Sequence, residues 1–110
     1  MKKPGNATWL EKPTAMRLKF SQAARRDLSS IFIQSARKFG LQQAETYRDG
    51  LLASLAFIAE RPLAVPEYQN ARRSVRVHRY QSHVVIFEAR EDGVLIVRVV
   101  HGLRDINRLL

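Results

Sequence analysis

The sequence predicts a single α+β domain in which an antiparallel two-helix hairpin covers one face of a four-stranded sheet. Two observations support this fold class. Apolar residues recur at three- to four-residue spacing through two stretches that meet at Gly40. After Pro62 the pattern changes to short β-branched runs, two of which are joined by Asp92 and Gly93. A chain of 110 residues with 45% hydrophobic and 26% charged composition has the size of one such domain.

The amino-terminal half contains one strand and both helices. Residues 17–20 alternate polar and apolar side chains, which predicts a short half-buried strand. Ser21 can cap a helix over 22–39, and Gly40 stands where a helix-ending glycine belongs. A second helix over 41–61 follows after this short link, so the two helices form an antiparallel hairpin.

Three residues of the hairpin have two interpretations. Ile33 and Phe57 lie roughly opposite the main apolar stripes of their helices, so they either pack within the hairpin or form an apolar surface for a partner. Gly50 should cost about 1 kcal/mol relative to alanine inside a helix. It therefore marks either a close approach of the two helices or simple tolerance.

The carboxyl-terminal half predicts three strands in a meander. Residues 62–71 lack periodicity and form the crossover loop. Strands follow over 74–80, 83–90 and 93–102, the second of them buried on both faces because four consecutive apolar residues occur within it. The sheet is then four-stranded and mainly antiparallel, with the helices on one face.

The two ends of the chain are expected to lie outside this fold. Residues 1–15 contain two prolines and a glycine without periodicity, so we expect a flexible leader before a single domain over 16–110. The tail from Leu103 to Leu110 should contribute little to the two-layer core. Its apolar residues could instead fold back and become buried, and these are Ile106, Leu109 and Leu110.

Composition excludes several classes of site. Without cysteine there is no thiol nucleophile, thiolate zinc site or disulfide scaffold, which is compatible with a cytoplasmic protein. The apolar runs are far shorter than the roughly 18 residues that span a bilayer, so we expect no membrane association. Phosphate-binding glycine motifs are missing, and we expect neither a cofactor nor a bound metal. The three histidines, His78, His83 and His101, are interpreted as structural or surface residues, with general acid/base catalysis or metal ligation as the alternative.

Charge points to an acidic partner. The chain carries 19 Lys and Arg against 10 Asp and Glu, a formal net charge of +9. The lysines all occur at or before Lys38, whereas arginines dominate from residue 72 onward, and arginine's planar fork suits phosphate and carboxylate. A nucleic acid, a protein that handles nucleic acid and an acidic neutralising protein all fit this charge.

A family resemblance becomes visible when the motifs are taken in order. The chain contains FSQAARRDL at the first helix, AETYRDGL in the second, the ERP stop, the strand pair VRVHRYQSHVVIF, the hairpin EDGVLIVRVVHG and the ending HGLRDI before LL. From about Met16 to Leu110 the sequence resembles the ParE toxins of the RelE/ParE superfamily of bacterial toxin–antitoxin modules. The resemblance implies a toxin held inactive by a cognate ParD-like or other acidic antitoxin, with a higher-order toxin–antitoxin assembly as an open option.

The resemblance also implies two alternative activities. ParE-like members poison DNA gyrase and stop replication without a catalytic centre, whereas RelE-like members cleave messenger RNA on the ribosome. RNA cleavage needs a base, an acid and a cation. Beyond His101 the tail offers no tyrosine, histidine or lysine, which favours gyrase inhibition over enzymatic activity. Tyr80 and His101 could still supply proton transfer, so a ribonuclease remains the alternative, and a plain basic nucleic-acid-binding domain is the competitor from another class.

Residue predictions follow from this interpretation. We expect the tail to provide the first contacts with the target through Arg104, Asp105 and Arg108, with Arg76 and Arg79 of the first meander strand next. Arg76 is expected on an exposed side of its strand. The antitoxin should cover the helical hairpin with an amphipathic segment that uses Ile33 and Phe57.

Overall fold

The structure is a computed structural model that describes residues 18–68, 73–102 and 109. Its elements are β1 (Leu18–Phe20), α1 (Gln22–Phe39), α2 (Leu41–Glu60), a 3₁₀ turn (Pro62–Ala64), β2 (Arg76–Tyr80), β3 (His83–Arg90) and β4 (Gly93–His101). The strand order in the sheet is β1-β4-β3-β2. The predicted α+β fold is confirmed, with every element within a few residues of its expected bounds. The leader 1–15 lies outside the described residues.

The two helices begin and end as the sequence predicts. The Ser21 side chain accepts a hydrogen bond from the Ala24 N–H at 2.9 Å and caps α1. Gly40 has φ of 94°, a value that favours glycine, and its N–H donates to the Ala36 carbonyl at 2.9 Å. The same residue precedes the first turn of α2, so one glycine turns the chain between antiparallel helices.

The main core lies between the hairpin and one face of the sheet. Leu51, Leu55 and Ile58 of α2 are at most 1% exposed and pack against Val85 and Phe87 of β3. Burial of such side chains contributes about 1.5–3 kcal/mol each. The apolar stripe of α2 therefore positions the helical layer on the sheet.

A second apolar cluster occupies the opposite face of the sheet. Val75, Val84 and Ile86 are fully buried there, and Leu109 from the carboxyl-terminal tail is half-buried against them. The expectation that the tail adds little to the core is therefore wrong at Leu109, because its side chain covers apolar surface that would otherwise contact water. Ile106 and Leu110 lie outside the described residues.

One edge of β4 pairs with β3 along the strand, whereas the neighbour on its other edge changes part-way along. Its first half pairs in parallel with β1, from Leu18 opposite Val94 to Phe20 opposite Ile96. The pairing with β3 then steps from Phe87–Ile96 to Ile86–Arg98, so one extra residue forms a bulge in β4. Beyond the bulge α1 replaces β1 as the neighbour of this edge.

At and beyond the bulge, the side chains of Ser21 and Asp27 form hydrogen bonds with backbone groups on the edge of β4. The Ser21 hydroxyl donates to the Val97 carbonyl at 2.7 Å. The Asp27 carboxylate accepts the Val99 N–H at 2.9 Å and forms two hydrogen bonds with Arg98, from Nε at 2.7 Å and from a terminal nitrogen at 3.0 Å. These bonds raise the pKa of Arg98. Asp27 therefore fixes the position of α1 on the sheet.

Gly50 is explained by a tyrosine rather than by a neighbouring helix. A Cβ atom at this position would lie 2.1 Å from the Tyr80 hydroxyl oxygen and 3.2 Å from its Cζ. The Tyr80 ring also meets the Tyr47 ring edge-on, with centroids 5.4 Å apart. The close approach at Gly50 is therefore made by the end of β2, and the expected close approach of the other helix does not account for this glycine.

We expect Gly50→Ala to destabilise the protein by up to about 2 kcal/mol. Overpacking typically costs about 1–3 kcal/mol, and the gain in helix propensity of about 1 kcal/mol offsets part of this cost. Denaturant unfolding of Gly50→Ala, Tyr80→Phe and the double variant measures the coupling. Tyr80→Phe removes the atom at 2.1 Å, so the double variant should recover most of the loss, and equal losses in the single and double variants would contradict this explanation.

Candidate functional site

An apolar groove lies between the two helices of the hairpin, next to β1. It has a volume of about 440 Å³, and its walls come from β1, α1 and α2. The apolar side chains that line it include Phe20, Leu28, Phe32, Ile33, Leu51 and Leu52. Ile33 and Leu52 are exposed although both are large and apolar. A groove of this kind is a common docking surface for an amphipathic helix.

Cationic side chains border this groove. Arg25 and Arg48 are among its lining residues. The Arg48 guanidinium lies 5.1 Å from the centroid of the Phe32 ring and also contacts Asp49 at 3.3 Å. An occupant with apolar residues on one side and carboxylates at its margin would complement the groove in both shape and charge.

The two apolar residues singled out from the sequence are both exposed. Ile33 is 48% exposed and Phe57 is 63% exposed, so packing within the hairpin is wrong for both. Ile33 lines the groove, whereas Phe57 is not among its lining residues. The sequence therefore located one residue of the groove and one exposed residue outside its walls.

Most of the described arginines in or just before the last three strands are engaged in contacts within the protein. Arg73 and Arg90 both bind the carboxylate of Glu88, with Arg90 at 2.8 Å. Burial would raise the pKa of Glu88, but hydrogen bonds from the two guanidinium groups prevail and lower it. Arg98 is held by Asp27. These three guanidinium groups support the sheet and are not simply a solvated basic patch.

Arg76 and Arg79 lie on opposite faces of the sheet. Arg76 pairs with Phe87 on the helix side, donates to the Val65 carbonyl and approaches Glu67 at 3.6 Å. Its side chain is only 16% exposed, so the expectation of an exposed arginine is wrong here. Arg79 pairs with Val84 on the other face and is exposed. The predicted tail contacts Arg104, Asp105 and Arg108 lie outside the described residues, as does Arg72.

Two of the three histidines come together at the end of the sheet. His83 and His101 are cross-strand neighbours whose rings meet edge to face, with centroids 5.3 Å apart. The His83 Nδ1 atom lies 2.7 Å from the Tyr47 hydroxyl. Burial, and next the charge of His101, lowers the pKa of His83. His78 lies apart from them and approaches the Ser54 hydroxyl at 3.3 Å.

Sequence patterns did not single out Asp27, Tyr47 or Arg48 as site residues. Asp27 and Arg48 are polar residues on amphipathic helices and look like part of the solvated face, whereas Tyr47 falls on the apolar stripe of α2 and looks like a core residue. Their partners lie on strands or on the neighbouring helix, and helical periodicity carries no information about them. In the described part of the chain, no group of three or more His, Asp or Glu is placed to hold a metal ion. Neither described helix is long and apolar enough to cross a membrane.

Comparison with known proteins gives consistent results from sequence and structure. Residues 18–106 match the family described as the ParE toxin of the type II toxin–antitoxin system parDE. The chain is 34% identical over 83 residues to Toxin ParE1 of Caulobacter vibrioides, a match that covers 76% of this chain and 85% of that protein. A chain from the structure titled "Chromosomal ParDE TA system from P. aeruginosa" shares the fold, with a TM-score of 0.66 and 16% identity over 78% of this chain and 95% of that one.

Proposed function

This chain belongs to the ParE toxin family of type II toxin–antitoxin systems, and on that premise we propose that it inhibits DNA gyrase when free and is neutralised by direct binding of a cognate antitoxin. The family match over 18–106 is the observation that carries the proposal. It spans both helices and all four strands. The action is proposed to depend on binding and to take place in the cytoplasm, where gyrase works.

The antitoxin is proposed to occupy the hairpin groove with an amphipathic segment. Support comes from the exposed Ile33 and Leu52 side chains, which line an apolar groove with a volume of about 440 Å³. Arg25 and Arg48 border the same walls, and the formal net charge of the chain is +9. An acidic partner would therefore gain apolar burial and charge complementarity at one site.

We expect Ile33→Asp with Leu52→Asp to weaken antitoxin binding by tenfold or more while growth arrest persists. A carboxylate in the groove loses apolar contact and repels an acidic partner. Titration calorimetry with the purified antitoxin measures the loss. Leu41→Asp with Leu63→Asp is the matched control, because both leucines are exposed and neither lines the groove. An equal loss in the control would remove the groove from the proposal, and Phe57→Asp tests the second predicted residue separately.

Gyrase is proposed as the target because the tail and Arg79 offer recognition groups without a proton-transfer centre. Arg79 is exposed on the face of the sheet where Leu109 packs. Arg104, Asp105 and Arg108 follow β4 in the sequence toward Leu109. These side chains can bind carboxylate or phosphate bidentately or accept from a cation, which suits contact with a gyrase–DNA complex.

A messenger RNA endoribonuclease remains the second candidate because His83 and His101 lie together. The centroids of the two imidazole rings are 5.3 Å apart, and an imidazole is a group able to transfer protons. Tyr80, the other residue considered for this role, is half-buried, and its hydroxyl packs against Gly50. The ribonuclease alternative therefore depends on the histidine pair.

One set of experiments separates these functions. Expression of the chain alone should arrest bacterial growth, and co-expression of the acidic antitoxin encoded beside it should restore growth. The purified toxin should inhibit gyrase supercoiling or increase cleaved DNA, while ribosome-bound messenger RNA stays intact. Site-specific cuts in translated messages with gyrase unaffected would reverse the ranking. A chain that is harmless at high expression would count against the toxin activity itself.

A further inference from the structure

A polar cleft adjoins the apolar groove at the end of the hairpin near Gly40. It has a volume of about 390 Å³, in the range of small-ligand sites. Its walls come from the last turns of α1, the first turns of α2, the β2–β3 turn and the ends of β3 and β4. The amide, cationic and imidazole side chains that line it are Gln34, Lys38, Gln43, Gln81, His83 and His101, and the hydroxyl-bearing residues Ser35, Tyr47 and Ser82 line it as well. Among the described lining residues there is no carboxylate.

The imidazole of His83 is held in a fixed position in this cleft. Its Nδ1 atom lies 2.7 Å from the Tyr47 hydroxyl, and the two rings are 5.5 Å apart. The lowered pKa of His83 favours the neutral ring at neutral pH. When Tyr47 donates to Nδ1, the neutral ring carries its proton on Nε2. His83 can then donate one hydrogen bond to a ligand in the cleft.

The turn that closes the cleft contains a strained residue. Gln81 has φ of 51° in a two-residue hairpin turn where glycine or asparagine is favoured. The neighbouring Ser82 carbonyl accepts the Gly102 N–H at 2.9 Å and ties the end of β4 to this turn. Non-glycine residues in this backbone region are enriched at ligand sites. The strain is a second observation, independent of the side-chain composition of the cleft.

The cleft also combines a cation with an exposed aromatic ring. Phe39 is 62% exposed and lines the wall beside Lys38, whose Nζ atom lies 5.8 Å from the Phe39 ring centroid. A phosphate needs a cation and hydrogen-bond donors, whereas a nucleobase needs a stacking surface and amide groups along its edge. Gln34 and Gln43 supply such amides on the two helices.

We propose that this cleft binds one nucleotide of a single-stranded nucleic acid, with the phosphate at Lys38 and the histidine pair and the base stacked on Phe39. A duplex does not fit this description, because its bases are stacked on one another. Arg79 does not line the cleft, and the proposal does not rest on gyrase being the target. Both DNA and RNA strands present this chemistry, and the experiment distinguishes them.

The test uses the full chain and short fluorescent oligonucleotides of deoxyuridine and of uridine at physiological salt. We expect Lys38→Gln with Phe39→Ala to weaken binding about tenfold or more, since base–aromatic stacking alone contributes severalfold to a hundredfold. Arg61→Gln with Leu63→Ala is the matched control: it also removes one exposed cation and one exposed apolar side chain, away from the cleft. The control should lose less than threefold.

A second measurement locates the bound strand on the unmodified protein. In NMR titrations the ring signals of His83 and His101 should shift, whereas those of His78 should not, because His78 does not line the cleft. Binding of only one of the two oligonucleotides supports the site and assigns its sugar preference. Unmoved His83 and His101 signals, equal losses in the two double variants, or no binding of either strand would overturn the proposal.

Discussion

Replacing Asp27 by alanine should lower the free energy of unfolding by about 3 kcal/mol. The carboxylate holds the Arg98 guanidinium through two hydrogen bonds and also accepts the Val99 N–H. Without it, a partly buried cation and a backbone donor lose their partner together. Removing one side of a buried pair costs about 3–5 kcal/mol, and the partial exposure of this pair places the effect at the lower end.

Matched variants separate the contributions of Asp27. Asp27→Asn keeps an acceptor for Val99 but loses the charge, so it should cost less than alanine. Asp49→Ala removes an exposed helical carboxylate that also contacts an arginine, and it should change stability by less than about 0.5 kcal/mol. Denaturant unfolding of the three variants gives the comparison. If Asp27→Ala were as mild as Asp49→Ala, the pair would play no part in holding α1 on the sheet.

Asp27 also shows why the sequence predicts the helices and strands of this fold better than the contacts between them. Helix bounds follow from local signals such as Ser21 and Gly40, which act on neighbouring residues. The Asp27–Arg98 pair joins positions 71 residues apart, and it depends on the bulge where β4 leaves β1. Nothing in the spacing of either segment encodes that register. The parallel pairing of β1 with β4 was hidden for the same reason.

The same distinction between local and long-range signals applies to the residues of the candidate surfaces. An exposed apolar residue such as Ile33 departs from the helical stripe, so periodicity alone could point to it. The contact between His83 and His101 can be predicted only if the β3–β4 register is known. Whether an arginine is exposed or paired can be predicted only if its partner is known. Arg76 and Arg79 look equivalent in sequence, yet Arg76 is tied to the 65–67 segment and Arg79 is exposed on the other face.

The largest effect on toxicity is expected from reversing two charges in the tail. Arg104→Glu with Arg108→Glu should abolish growth arrest while antitoxin binding and cooperative melting stay close to those of the unmodified chain. The reason is that a guanidinium that binds carboxylate or phosphate becomes a repelling carboxylate, whereas the proposed antitoxin groove lies on the hairpin. Colony counts after induction, at equal expression, measure the effect.

The control must carry the same change in net charge. Arg37→Glu with Arg61→Glu also lowers the formal charge by four from +9, and both residues are exposed outside the groove. This variant should remain toxic if the location of the charges matters. Loss of toxicity in both variants would instead indicate a general electrostatic attraction, which salt would screen.

Charge reversal is a cleaner test than truncation because Leu109 contributes to the second apolar cluster. Removing the tail would expose part of Val75, Val84 and Ile86 to water and lower stability, so a harmless truncated chain could simply be unfolded. The double arginine variant keeps Leu109 in place. If that variant were fully toxic, the tail arginines would not contact the target. Arg79→Glu would then be the next test, since Arg79 is exposed on that face while Arg76 already binds within the protein.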